Sequence, residues 1–104
     1  MKIDQKRIVI TGASSGIGRA LLQELSDHQV QIVAVGRDEM RLWDVMESAD
    51  GSQARVMSFP CDLSRQRDVD ALFDYAVQQM DGIDIFVANA GFAYWEPVQE
   101  PDWG

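Results

Sequence analysis

Positive charge is what this chain has least of. Its 9 Lys and Arg stand against 17 Asp and Glu, a formal net charge of -8 over 104 residues. A surface of that sign repels a nucleic-acid backbone and an anionic membrane, so neither is expected as a partner. A small phosphate ligand is not excluded, because a local nest of backbone N–H groups binds an anion whatever the net charge. Cysteine occurs once, at Cys61, which rules out an internal disulfide and fits a reducing compartment, so a cytoplasmic location is expected. His28 is the only histidine, and no Cys/His cluster is present to hold a metal. Long apolar runs are missing as well: Met1-Lys2-Ile3-Asp4-Gln5-Lys6-Arg7 offers neither a signal peptide nor a membrane span.

What is present is ordinary in amount and regular in order. Hydrophobic content of 46% and charged content of 25% suit one small soluble domain rather than a disordered chain. Arg7 to Thr11 reads as a β-branched strand. A helix follows to about His28, with Ile17, Ala20, Leu21 and Leu25 on one face. Gln31 to Val35 reads as a second strand closed by Gly36, and Asp38 as the N-cap of a second helix with Met40, Trp43 and Met46 turned inward. Gly51 ends that segment. Arg55 to Phe59 is a third strand stopped by Pro60. Ser64 is expected to cap a third helix carrying Val69, Leu72, Phe73, Ala76, Val77 and Met80 at helical spacing, ended by Asp81-Gly82. Ile83 to Ala88 gives a fourth strand running into Asn89-Ala90-Gly91, and residues 92–104 read as a loop. This alternation predicts an α/β fold with a parallel sheet and right-handed crossovers.

The chemistry gathers where these strands end. Gly12, Gly16 and Gly18 form a G-x-x-x-G-x-G turn between the first strand and its helix. Such a turn lets backbone approach a pyrophosphate, and the helix aims free N–H groups and its positive dipole end at it. A sharp turn ahead of a helix, with no ligand, is the plainer reading of the same glycines. At the end of the second strand, the place of an acidic ribose ligand is taken by Gly36, and Arg37 beside it is suited to clamp a 2′-phosphate. A solvated loop arginine is the alternative for Arg37, and a helix cap is preferred for Asp38. Asp62, in Cys61-Asp62-Leu63, is equally compatible with an adenine contact and with a turn ahead of the third helix. Asn89, Ala90 and Gly91 end the fourth strand on the same edge, where small residues admit a ribose or a nicotinamide, with a mere strand terminus as the alternative. His28 reads as a surface residue; for Cys61 a buried small side chain is preferred over a reactive thiol beside the site.

Thr11-Gly12-Ala13-Ser14-Ser15-Gly16-Ile17-Gly18, Cys61-Asp62-Leu63 and Asn89-Ala90-Gly91 together resemble the N-terminal half of the short-chain dehydrogenase/reductase family. The resemblance covers nearly the whole chain. It implies a Rossmann-like three-layer α/β/α half-domain over residues 1–91, with a parallel sheet in the order 3-2-1-4, and a tail at 92–104 leading toward a catalytic half. It implies a nicotinamide dinucleotide as cofactor. Gly12, Ser14, Ser15, Gly16, Ile17 and Gly18 would hold the pyrophosphate and adjoining ribose, Asp62 and Leu63 would flank the adenine, and Asn89, Ala90 and Gly91 would support the nicotinamide ribose. Gly36-Arg37 is similar to members that prefer NADP(H), with NAD(H) possible.

The family's chemistry depends on a Tyr-x-x-x-Lys pair, in which lysine lowers the pKa of the proton-transferring tyrosine. Here Tyr75 and Tyr94 are followed four positions on by Gln79 and Val98, and the only lysines are Lys2 and Lys6. No catalytic residue is therefore assigned, and hydride transfer by this chain alone is not expected. The expectation is the NADP(H)-binding portion of a truncated or naturally short oxidoreductase, with a non-catalytic nucleotide-binding or self-associating regulatory module as the alternative. Either way, strand 83–88 lies at an open sheet edge beside an uncovered apolar face, which predicts a homo-oligomer.

Overall fold

The computed structural model describes residues 3–14, 16–48 and 53–88. Seven elements alternate along them: β1 (Arg7–Thr11), α1 (Gly16–Leu25), β2 (Gln31–Gly36), α2 (Glu39–Ser48), β3 (Arg55–Pro60), α3 (Gln66–Met80) and β4 (Ile85–Val87). The strands form one sheet in the order β3-β2-β1-β4, and every neighbouring pair is parallel. The expected α/β architecture and strand order are the observed ones.

The β-branched runs explain why β1 and β2 are central. Strands buried on both faces need apolar side chains at consecutive positions, not alternate ones. Ile8 stands opposite Ile32, Val9 opposite Val33 and Ile10 opposite Ala34. Because side chains alternate across a strand, the register sorts them into two layers. Ile8, Ile10, Ile32 and Ala34 pack with Leu22 of α1 and with Leu42 and Val45 of α2. Val9, Val33 and Val35 pack on the other face with Leu72, Ala76 and Met80 of α3. Each fully buried side chain of this kind contributes about 1.5–3 kcal/mol relative to exposure. Two helices on one face and one on the other make the three layers.

The helix faces depart from the periodicity reading. In α1 the buried residues are Gly18 and Leu22, while Ala20 is exposed and Ile17 is 75% exposed; Leu21 and Leu25 lie on the flank of the buried stripe. The reason is Gly18, whose missing side chain lets the helix settle on the sheet along the 18–22 line. In α2 the core residues are Leu42 and Val45, with Met46 half-buried and Met40 and Trp43 exposed. In α3 Leu72, Ala76 and Met80 are buried, but Phe73 and Val77 are not. Phe73 instead stacks on Phe86 of β4, ring centroids 5.5 Å apart.

Three boundaries also differ. Ser26 to His28 form a turn after α1 rather than its last residues. Ser64 does not cap α3: the helix starts after Arg65, and the Ser64 hydroxyl donates to Asp62 Oδ1 at 2.7 Å. Strand β4 pairs over Ile85–Val87, and just ahead of it the Asp84 N–H donates to the Arg7 carbonyl at 2.7 Å while its carboxylate accepts the Arg7 amide N–H at 2.8 Å. Asp38 does cap α2, accepting from the Arg41 N–H at 3.2 Å. Asp81, at a φ of 65, ends α3 in a left-handed cap that donates its N–H to the Val77 carbonyl. The expected end at Gly51 lies outside the described residues.

Candidate nucleotide site

The turn after β1 is shaped by two left-handed glycines, Gly12 at φ 63 and Gly16 at φ 55. A side chain in that conformation costs roughly 1–2 kcal/mol, so the sequence places glycine where the geometry demands it. The turn is tied down by the Ala13 N–H, which donates to the Val35 carbonyl at 3.0 Å. Chain neighbours and the helix's own backbone aside, no heavy atom of the described residues lies within 4 Å of the place a Cβ would take on Gly16, so the backbone there is open to approach. The first turn of α1 carries no acidic residue. Its N–H groups and positive dipole end therefore point into the turn without a neighbouring carboxylate to compete.

The end of β2 adjoins this turn, and the end of β3 adjoins that of β2. The Gly36 carbonyl accepts the Cys61 N–H at 2.9 Å, which sets Gly36-Arg37 beside Cys61-Asp62-Leu63. Arg37 is exposed. Asp38 is occupied by its cap to α2 and by Arg41, whose Nε lies 3.6 Å from its Oδ2. The preferred reading of Asp38 as a cap is the one realised.

Asp62 is a turn residue in the structure. Its Oδ1 accepts both the hydroxyl and the amide N–H of Ser64, at 2.7 and 3.0 Å. Those two bonds, followed by attraction to Arg65 and Arg37, hold its carboxyl below the ordinary aspartate range. It is thus a carboxylate at neutral pH, with Oδ2 3.9 Å from Arg65 Nε. Sequence reasoning missed Asp68, whose Oδ2 accepts the Asp62 N–H at 2.9 Å and fixes the turn. The signal was an acidic residue in the first turn of α3, where a side chain reaches back to free N–H groups ahead of the helix. Leu63 is half-buried against the α3-side core. Cys61 is partly buried, and burial, then Asp68 and Asp62, push its thiol up to about 11. That thiol stays protonated near neutral pH and is no nucleophile.

The structure thus brings Gly12, Ser14, Gly16, Ile17, Gly18, Arg37, Asp62 and Leu63 to the carboxyl ends of adjacent strands and the loops after them. Ser15, Asn89, Ala90 and Gly91 lie outside the described residues. Two residues set aside in the sequence stand elsewhere. His28, in the turn between α1 and β2, has Nδ1 3.8 Å from Asp4 Oδ1, and Tyr75 packs on Phe59 with centroids 4.8 Å apart.

A parallel sheet whose order reverses at β1, with a glycine turn at that switch point, defines a Rossmann-like nucleotide-binding frame. The short-chain dehydrogenase model matches residues 6–103, and the chain belongs to that family. It is 41% identical over 95 residues to a fatty acyl-CoA reductase of Mycobacterium tuberculosis, covering 91% of this chain and 32% of the relative. It is 32% identical over 106 residues to a 3beta-hydroxysteroid dehydrogenase of Mediterraneibacter gnavus, covering 98% and 38%. Among solved structures, an L-sorbose reductase of Gluconobacter frateurii, complexed with NADPH and L-sorbose, superposes with a TM-score of 0.82 at 34% identity, covering 94% of this chain and 38% of that one. An NAD+-bound xylitol dehydrogenase superposes with a TM-score of 0.82 at 25% identity, covering 88% and 35%. The chain spans 32% to 38% of the curated relatives named here.

Proposed function

We propose that this chain is the NADP(H)-binding portion of a short-chain oxidoreductase. The observation that carries the proposal is the glycine turn opening α1 beside a β2 that ends in Gly36-Arg37 with no ribose-binding carboxylate. In this reading the pyrophosphate lies against Gly12, Ser14, Ser15, Gly16, Ile17 and Gly18, where backbone N–H groups serve as donors. Exposed Ile17 covers the adjoining sugar, Asp62 and Leu63 flank the adenine, and Asn89, Ala90 and Gly91 support the nicotinamide ribose. Arg37 takes the 2′-phosphate, whose charge its planar fork of donors matches. The bound dinucleotide supplies hydride chemistry. The residues of this chain bind and orient it, and no Tyr-x-x-x-Lys occurs among them to handle the substrate proton.

Calorimetric titration tests the reading: NADPH is expected to bind at least about tenfold tighter than NADH, the scale of one charge-assisted contact. Arg37→Ala is expected to abolish most of that ratio by weakening NADPH alone. An unchanged ratio in the variant would overturn the Arg37 assignment.

One observation favours a second role alongside the first. Phe73, Val77 and Phe86 leave an exposed apolar strip on the α3 side of β4, and β4 pairs only with β1 among the described strands. An unpaired edge flanked by apolar side chains favours self-association of this chain, consistent with a module acting through contact as well as through nucleotide.

A further inference from the structure

From Ile83 to Ala88 every residue except Asp84 is apolar, so hydrophobic alternation gives β4 no preferred face. Its ladder with β1 spans three residues, none of them fully buried. The Phe73 ring holds Phe86 on the α3 side, yet Phe86 stays exposed. The Thr11 hydroxyl donates to the Val87 carbonyl at 3.3 Å, a bond that the carbonyl of any residue in that place would accept.

What separates one register from the next is Asp84. Its carboxylate accepts three donors from Arg7, the amide N–H, Nε and Nη2, and its own N–H donates to the Arg7 carbonyl. The fourth arm of the clamp is Arg7 Nη1, which donates to the Asp81 carbonyl and lies over Gly82, where a Cβ would stand 2.7 Å from it. A slip by one residue would set Ile83 or Ile85 beside Arg7 with no carboxylate to offer, turn every β4 side chain to the other face, and move the strand by about 3.3 Å. These groups stand at the amino ends of β1 and β4, on the edge of the sheet opposite the glycine turn.

Resting on the nucleotide reading above, we infer that Arg7 and Asp84 are positioning residues for the β4 end of the nucleotide site. By fixing the register of β4 at its start, they decide which residues after Val87 stand against the nicotinamide ribose. They touch no part of the cofactor, and the adenosine half, held at the ends of β1, β2 and β3, does not depend on them.

The full chain is titrated with NADPH and with adenosine 2′,5′-bisphosphate, which lacks the nicotinamide half. Wild type is expected to bind NADPH more tightly than the bisphosphate. Arg7→Gln and Asp84→Asn are each expected to weaken NADPH about fivefold or more, the scale of one lost hydrogen bond, and the bisphosphate less than about twofold. Arg7→Lys, which keeps the charge and loses the planar fork, is expected to give the same split. In the free chain, nuclear Overhauser contacts between β1 and β4 read the register without any ligand. Wild type is expected to show Ile8 against Ile85 and Ile10 against Val87, and Asp84→Asn to add a second, offset set. Weakening of both ligands by one factor would make the pair merely stabilising and overturn the positioning role. A single unchanged set of strand contacts in Asp84→Asn would overturn it too, as would a wild type that gains nothing from the nicotinamide half; each leaves the adenosine site standing. If wild type binds neither ligand, the nucleotide reading itself fails, and the positioning role fails with it.

Discussion

Gly12 and Gly16 shape the turn by adopting left-handed φ, and Leu22 shows what the helix they open gains from its position. Leu22 is fully buried between α1 and the sheet, one turn after Gly18. Leu22→Ala is expected to lower unfolding free energy by about 2–5 kcal/mol, read from urea melts, because tight packing leaves a cavity. Gly16→Ala is expected to cost roughly 1–2 kcal/mol through its left-handed φ alone, since the space around it is open. A Gly16→Ala chain as stable as wild type would refute that account. At this scale the sequence was informative where chemistry is local. A glycine spacing, an Asp38 cap and an Asp81-Gly82 stop are each readable within a few residues. The pairing of Arg7 with Asp84 was not, because it joins two strand ends that only the sheet brings together. The bond from Asp62 N–H to Asp68 escaped for a different reason: an aspartate in the first turn of a helix reads equally well as part of a solvated face.

Elements were legible in kind and order, and misjudged in orientation. Spacing alone gave α3 a stripe wide enough to include Phe73 and Val77, yet only Leu72, Ala76 and Met80 are buried in it. A single helix on a narrow sheet buries one line of side chains, and its flank awaits a neighbour. Element junctions also carry a lock that periodicity does not report. Arg7 on β1 donates its amide N–H and Nε to Asp84 Oδ2 at 2.8 and 2.9 Å and Nη2 to Oδ1 at 2.9 Å, and its Nη1 donates to the Asp81 carbonyl. This bidentate pair ties β1 to the segment between α3 and β4. Its hydrogen bonds hold the Asp84 carboxyl far below the ordinary aspartate range in the folded chain. A depressed carboxylate adds stability above its unfolded pKa and loses it as pH falls toward the folded value. The lock is therefore intact at neutral pH and weakens through the acid range below about pH 4. Asp84→Asn is expected to be less stable than wild type at pH 7 and to lose less stability between pH 5 and 2. Parallel unfolding curves for the two proteins across that range would contradict the assignment.

At the scale of the whole molecule, alternation of strand and helix was enough for the sheet class, and the family resemblance supplied the order that the ladders display. The exposed strip of Phe73, Val77 and Phe86 was foreseeable only as an uncovered face, because which side chains line it depends on how α3 rolls on the sheet. Self-association through that strip is expected to appear in light scattering as a mass that rises with concentration. Phe86→Lys is expected to lower that mass toward one chain, since a charge at the edge blocks strand pairing. A wild-type chain that stays monomeric at high concentration would remove the second role. The proposed nucleotide site stands on the carboxyl ends of β1, β2 and β3. Titration of the chain with NADPH and with NADH under identical salt tests it most directly. The account predicts one saturable site that takes NADPH at least about tenfold tighter than NADH; equal affinities would contradict the roles of Gly36 and Arg37, and no binding of either would contradict the site itself.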